Sequence, residues 1–233
     1  MTAEQRLTRR ERYRRETVAQ IKAEAMSQVH EGGTEAVSLN AVARSMAMSG
    51  PALYRYFGSR DQLLAELAVD AHLALAGVLE AAATRDASPA SRVRAVAGAY
   101  RDWALAQPGA YHLAYQSTHG SGLEHATDRI VPAARRSMNV LLSVIAGAGE
   151  PPHLPVPPAL ENQIRDWNGN GQHHAPPAAV RHFGLVWWSR LHGLVSLELG
   201  GHLTATGVDP TLLYQAEIET MLNSLHHPNG TQS

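Results

Sequence analysis

The chain has 233 residues, 44% of them hydrophobic, enough for one large or two small domains with a proper core. A formal net charge of −1 excludes a polyanion binder that works by bulk charge, and the absence of cysteine excludes a disulfide framework and a thiolate metal site. No stretch approaches the ~20 continuous apolar residues of a membrane span, and the first residues are too charged for a secretory leader, so a cytoplasmic protein without a membrane partner is expected.

Residues 1–9 read as an unstructured basic arm. Arg6, Arg9, Arg10, Arg12, Arg14, Arg15 and Lys22 crowd the N-terminus against only Glu4, Glu11 and Glu16. Such a run is either a phosphate footprint or a solvated tail. A helix is predicted from about Arg10 to His30, because Val18, Ile21, Ala25 and Val29 recur at spacings of three, four and four. Gly32 and Gly33 end it. Ser38 to Phe57 then reads as two short helices around a tight turn. Ser38 caps the first, with Leu39, Val42 and Ala43 on its apolar face. Met46, Ala47 and Met48 form the turn. Ser49 caps the second, and Pro51 is tolerated in its first turn. Leu53 and Phe57 point inward; Gly50, Pro51, Tyr54 and Arg55 point out. This is the pattern of a helix-turn-helix, whose second helix can enter the DNA major groove.

Ser59 to Gln62 has the form of a capping box and opens a long helix with Leu64, Ala68, Ala71, Leu75 and Leu79 along one face and Leu63 and Leu67 along a neighbouring one. Further helices are predicted from Ser88-Pro89 to about Gln107, from about Leu123 to Ile145 with a bend at Pro132, near 159–167, at about 177–200 and from 210 to 225; Pro108-Gly109 interrupts the chain before a short aromatic segment, 110–115. Gly147 to Pro158 and Asn168 to Pro177 read as loops. In the helix at 177–200, Val180, Phe183, Gly184, Trp187, Leu191, Leu194 and Val195 form one apolar stripe. Ser189, Gly193, Ser196 and Gly200 form a second, small-residue stripe that lets another helix approach. Tyr214, Ile218 and Met221 form the apolar face of the last helix. No strand alternation is visible, so the expected fold is all-α: a three-helix DNA-binding domain at residues 10–57 with the start of the next helix, a helical regulatory and dimerisation domain at 58–226, and a tail at 227–233.

Ser49, Leu53, Tyr54 and Phe57 carry a resemblance to the DNA-binding motif of the tetracycline-repressor (TetR/AcrR) family. Tyr56 stands where that pattern has His, Arg60 where it has Lys, Ala47 where it has Gly and Met48 where it has Val. If the turn needs a positive φ at residue 47, alanine costs energy that glycine would not. Residues 99–115, AYRDWALAQPGAYHLAY, and Trp188 to Gly193 followed by LVSLELGGH resemble the WHG-type C-terminal regulatory domain of a subset of that family. The resemblance implies a regulator, most often a repressor released from its operator by ligand, with a C-terminal domain that dimerises and binds a small molecule.

On this reading the expected DNA contacts are Ser38, Ser49, Gly50, Pro51, Tyr54, Arg55, Tyr56 and Arg60. Tyr54 would stack on sugar or bond phosphate, and Arg55 would reach a guanine edge or a phosphate. Tyr56 and Arg60 would hold phosphate, which positions rather than specifies. Tyr100, Trp103, Tyr111, His112, Tyr115, Trp187 and His192 would line an effector cavity or else fill a solid core. Ser189, Gly193, Ser196, Gly200, Tyr214, Ile218 and Met221 would form the homodimer interface. No phosphate loop, nucleophile elbow or ligand spacing for a metal is present, so neither an enzyme nor a cofactor nor a metal is expected. The alternative is a DNA-binding regulator whose C-terminal domain dimerises without any ligand.

Overall fold

The computed structural model describes residues 8–84, 88–115, 127–152, 155–167 and 176–226, and among them every regular element is a helix. The first, α1 (Arg9–Gly32), starts one residue before the expected Arg10 because Thr8 caps it. The Thr8 hydroxyl accepts from the Glu11 amide at 3.3 Å, and the Glu11 carboxylate accepts from the Thr8 amide at 2.7 Å. This reciprocal box satisfies two donors that a helix start leaves open. It also holds the Glu11 carboxyl below its usual range, chiefly through the Thr8 hydroxyl. Residues 1–7 of the expected arm lie outside the described residues.

The described residues cluster into two compact units, the first drawing on the chain up to His72 and from Gln107 to Pro132, the second on Leu73 to Ala106 and from Ala133 onward. In the first unit α1 is followed by a 3-10 turn (Thr34–Ala36), α2 (Leu39–Ser45), α3 (Gly50–Tyr54) and the beginning of α4 (Arg60–Ala83). Thr17, Ile21, Ala25 and Val29 of α1 are buried, as are Leu39, Val42 and Ala43 of α2, Leu53 of α3, Phe57, and Leu63 and Leu67 of α4. Each fully buried leucine contributes about 1.5–3 kcal/mol relative to exposure. Lys22 of α1 bridges to Glu66 at 3.1 Å and Asp70 at 2.8 Å on α4, and Arg129 of α7 (Thr127–Ala148) also pairs with Glu66.

The short helix α6 (Pro108–Tyr115) packs on α1. Glycine at its second position permits a close approach. A Cβ on Gly109 would stand 3.0 Å from both Val29 Cγ1 and His30 Cδ2. The compact unit that holds the helix-turn-helix takes in α4 as far as His72 and also α6, whereas the sequence pattern assigns that domain residues 10–57 with only the start of the next helix.

In the second unit α5 (Pro89–Ala106), α8 (Pro158–Asp166), α9 (Ala178–Leu199) and α10 (Pro210–His226) accompany the rest of α4 and α7. Val180, Phe183, Gly184, Trp187, Leu191 and Val195 of α9 are buried, and a Cβ on Gly184 would collide with Leu142 of α7. The Arg101 guanidinium of α5 grips Glu198 of α9 with two bonds of 2.7 and 2.6 Å and donates to Thr211 of α10 at 3.0 Å. A forked pair of this kind fixes geometry as well as adding energy. Among the described residues α4 is the one helix long and apolar enough to cross a membrane, and more than half of its apolar window is buried inside the protein. The expected start of α7 at Leu123, most of the 168–177 loop and the tail lie outside the described residues.

Candidate nucleic-acid interface

Ser38 is held on both sides. Its hydroxyl accepts from the Ala41 amide at 3.4 Å, and its own amide donates to Gln28 Oε1 of α1 at 2.9 Å. The turn after α2 closes with two bonds, Met48 N–H to Ala43 C=O at 2.8 Å and Ala47 N–H to Arg44 C=O at 3.1 Å. That is the Schellman arrangement, which requires a left-handed residue between helix and exit. Ala47 supplies it at φ 51°, the only non-glycine with positive φ among the described residues. The conditional cost attached to this alanine is thus incurred.

Ser49 then caps α3 by backbone geometry, with no hydrogen bond from its side chain. Leu53 and Phe57 are buried beneath, and Ser49, Pro51, Tyr54 and Arg55 are exposed above, with Gly50 half-buried. Tyr54 is 49% exposed despite its size. Neither Tyr54 nor Arg55 is hydrogen-bonded or ion-paired among the described residues, which leaves a phenol and a guanidinium available on a helix whose other side is locked into the core. Tyr56 is half-buried, and the Arg14 guanidinium of α1 sits over its ring, 5.2 Å from the centroid.

Arg60, expected to hold phosphate, is engaged within the protein. Its Nε donates to the Val37 carbonyl at 3.0 Å and its Nη2 to the Thr34 carbonyl at 2.7 Å, with Glu35 at 3.3 Å. The fork of an arginine reaches both carbonyls, so the side chain is spent on clamping the 34–37 turn. Two further cations belong to this unit, Arg44, which was not singled out, and Arg14, named only as part of the basic run. Arg44 is exposed in the last turn of α2, and Arg14 lies on the same stripe of α1 as Thr17 and Ile21. The Arg14 spacing was readable; its pairing with a tyrosine forty-two positions later was not.

The residues expected to line an effector cavity fall into both units. In the second, Tyr100 and His192 share a hydrogen bond of 3.1 Å, and Trp188 stacks on the His192 ring at 5.5 Å. Burial pushes the His192 imidazole below its ordinary value, so it is neutral near pH 7. Trp103 and Trp187 are buried, and the Trp187 indole N–H meets no acceptor among the described residues. Tyr111, His112 and Tyr115 belong to α6 in the first unit. Tyr111 is fully buried 5.1 Å from Tyr115, whose ring meets His72 of α4 edge-on at 5.8 Å.

The interface residues also divide. Tyr214, Ile218 and Met221 are 3–5% exposed and turned inward, the Tyr214 hydroxyl donating to the Ala97 carbonyl of α5 at 2.8 Å. Their apolar face completes the core, which corrects their assignment to an interface. Ser189 and Gly193 instead line an open, mainly apolar groove with Leu197, Leu213, Ala216 and Thr220. Ser196 is half-buried and Gly200 is exposed; neither lines the groove. Among the described residues no group of three or more His, Asp or Glu side chains could hold a metal ion.

A short exposed second helix on a capped first helix, with free Tyr and Arg outward and leucine and phenylalanine inward, defines a helix-turn-helix DNA-binding protein. Residues 21–67 match the profile of bacterial regulatory proteins of the tetR family, and residues 93–221 match that of the tetracyclin repressor-like C-terminal domain. The HTH-type transcriptional regulator Rv1816 of Mycobacterium tuberculosis is 30% identical over 222 residues, which span 90% of this chain and 94% of that protein. The crystal structure of a regulatory protein named SCO4313 superimposes with a TM-score of 0.76 at 38% identity, covering 93% of this chain and all of that one. A tetR-family regulatory protein from Rhodococcus RHA1 shares the fold, with a TM-score of 0.59 at 18% identity over 89% of this chain and 96% of its own. The chain belongs to the TetR family of transcriptional regulators. It is a DNA-binding regulator of transcription and not an enzyme.

Proposed function

We propose that the protein is a dimeric cytoplasmic repressor that holds a double-stranded operator through the 49–56 face and leaves it when a small molecule binds the second unit. The observation that carries this reading is the outward pair Tyr54 and Arg55, unpartnered and presented on a helix that buried Leu53 and Phe57 hold rigid. The α9–α10 groove supports the dimer. A Cβ on Gly193 would meet nothing within 4 Å, and Leu197 is 43% exposed, so one protomer leaves this apolar surface uncovered. An operator with two half-sites then selects one spacing of the two recognition helices, and an effector releases DNA by favouring another. Tyr100, Trp103, Trp187 and His192 are the effector contacts we assign in the second unit.

The experiment joins both parts. Gly193→Leu fills open space in the protomer, so it should leave the melting temperature of the fold intact while changing sedimentation at micromolar concentration. The variant should also weaken binding to a selected genomic operator. A wild-type monomer in sedimentation, or wild-type binding no tighter to the operator than to random duplex, overturns the proposal.

A second reading is favoured by one observation. Tyr100 and His192 already satisfy each other inside the unit, as they would in a core that binds nothing. In that case the second unit only dimerises, and a small-molecule thermal-shift screen finds no compound that raises the melting temperature.

A further inference from the structure

The inner stripe of α1 does not stop where the core stops. Arg10, Arg14, Thr17, Ile21 and Ala25 follow one another at spacings of four, three, four and four, a single line on the helix. Thr17, Ile21 and Ala25 are buried, and every residue from Thr8 to Glu16 is exposed. The first two turns of α1 therefore overhang the core, and on the overhang the stripe changes from apolar to cationic. The Thr8–Glu11 box keeps this overhang helical, so its cations are held in register.

Arg14 marks where the overhang lies. Its guanidinium rests over Tyr56, two residues beyond the end of the recognition helix α3. Arg10 stands one turn further out on the same line and makes no hydrogen bond or ion pair among the described residues. Residues 9–16 carry Arg9, Arg10, Arg12, Arg14 and Arg15 against Glu11 and Glu16. An exposed cationic line beginning at the end of a groove-reading helix is matched by the phosphates bordering that groove.

We infer that the DNA interface extends beyond the helix-turn-helix onto the overhang of α1, where Arg10 and Arg14 hold backbone phosphates flanking each half-site. This rests on the DNA-binding reading above and adds to it a second, sequence-independent clamp. The overhang rises about 12 Å, which spans roughly four base-pair steps of backbone.

Arg12 provides the control, because it lies on the side of α1 opposite Arg10 and carries the same charge. Binding of the full-length protein to its selected operator is measured by fluorescence anisotropy over a series of salt concentrations. Arg10→Gln and Arg14→Gln should each lower the slope of log affinity against log salt by about 0.9, and Arg12→Gln should leave it unchanged. Arg10 is exposed and makes no hydrogen bond or ion pair among the described residues, so its variant should keep the wild-type melting temperature and isolate the DNA effect. Equal slopes for Arg10→Gln and Arg12→Gln, with wild type still binding, overturn this inference alone. Failure of wild type to bind any duplex overturns it together with the DNA-binding reading.

Discussion

The two regions expected to carry function are built in opposite ways. On the helix-turn-helix, Tyr54 and Arg55 stand in solvent with open hydrogen-bonding capacity, while buried Leu53 and Phe57 fix the helix beneath. In the second unit Tyr100, Trp103 and Trp187 are buried, and Tyr100 is bonded to His192. A partner of the first region finds its contacts ready. A partner of the second must compete with the packing that stabilises the unit. Substitutions should therefore separate binding from stability in the first region and mix them in the second.

The largest expected effect tests the second region. Trp187→Ala should cost ~3–5 kcal/mol in denaturant unfolding, because the side chain is buried and leaves a cavity, whereas Tyr54→Ala should stay within about 0.5 kcal/mol. Similar losses for both would erase the contrast. Next, Arg55→Ala should weaken specific DNA binding by ~1–3 kcal/mol if it reads a base, with unfolding unchanged. Arg60→Ala should instead lower stability by ~1–3 kcal/mol, since it strips two carbonyls of their donor; a pure DNA defect at Arg60 would return it to the phosphate role. Ala47→Gly should raise stability by ~1 kcal/mol, because glycine adopts the left-handed turn without the Cβ penalty.

The smallest effect is in pH. Burial lowers the pKa of His72 and His192, and for His72 a hydrogen bond with the Ala114 backbone partly opposes it. The unfolded chain takes up protons below about pH 6.5 that the folded chain refuses, so stability falls as pH drops through that value and is unaffected above it. The melting temperature should decline as pH falls below about 6.5, and less so in His72→Gln; an unchanged decline would exclude His72 as its source.

Much of this was legible in the sequence because it is local. The hydroxyl cap at Ser38, the helix start at Ser49 and the inward pair Leu53 and Phe57 all follow from residues a few positions apart, and the strain at Ala47 was readable as a condition on the turn. What escaped depends on distant partners. Arg60 resembles a phosphate contact until Thr34 and Val37 are folded beneath it. The Tyr214 face is apolar whether it meets α5 or a second protomer, and only the fold decides between them. The segment 110–115 reads only as an aromatic stretch after a Pro-Gly break, and nothing local announces that it forms a helix lying against α1.

That close approach has a consequence for how the protein opens. Gly109 lies so close to Val29 and His30 that a Cβ there would stand 3.0 Å from each, which packs α6 tightly on α1. The amides of α6 and of the C-terminal half of α1 cannot be freed one helix at a time, so they should exchange with deuterium as one cooperative block. The first two turns of α1, exposed throughout, should exchange far sooner. A single helix would then contain both a late-exchanging and an early-exchanging half, with the border near Thr17.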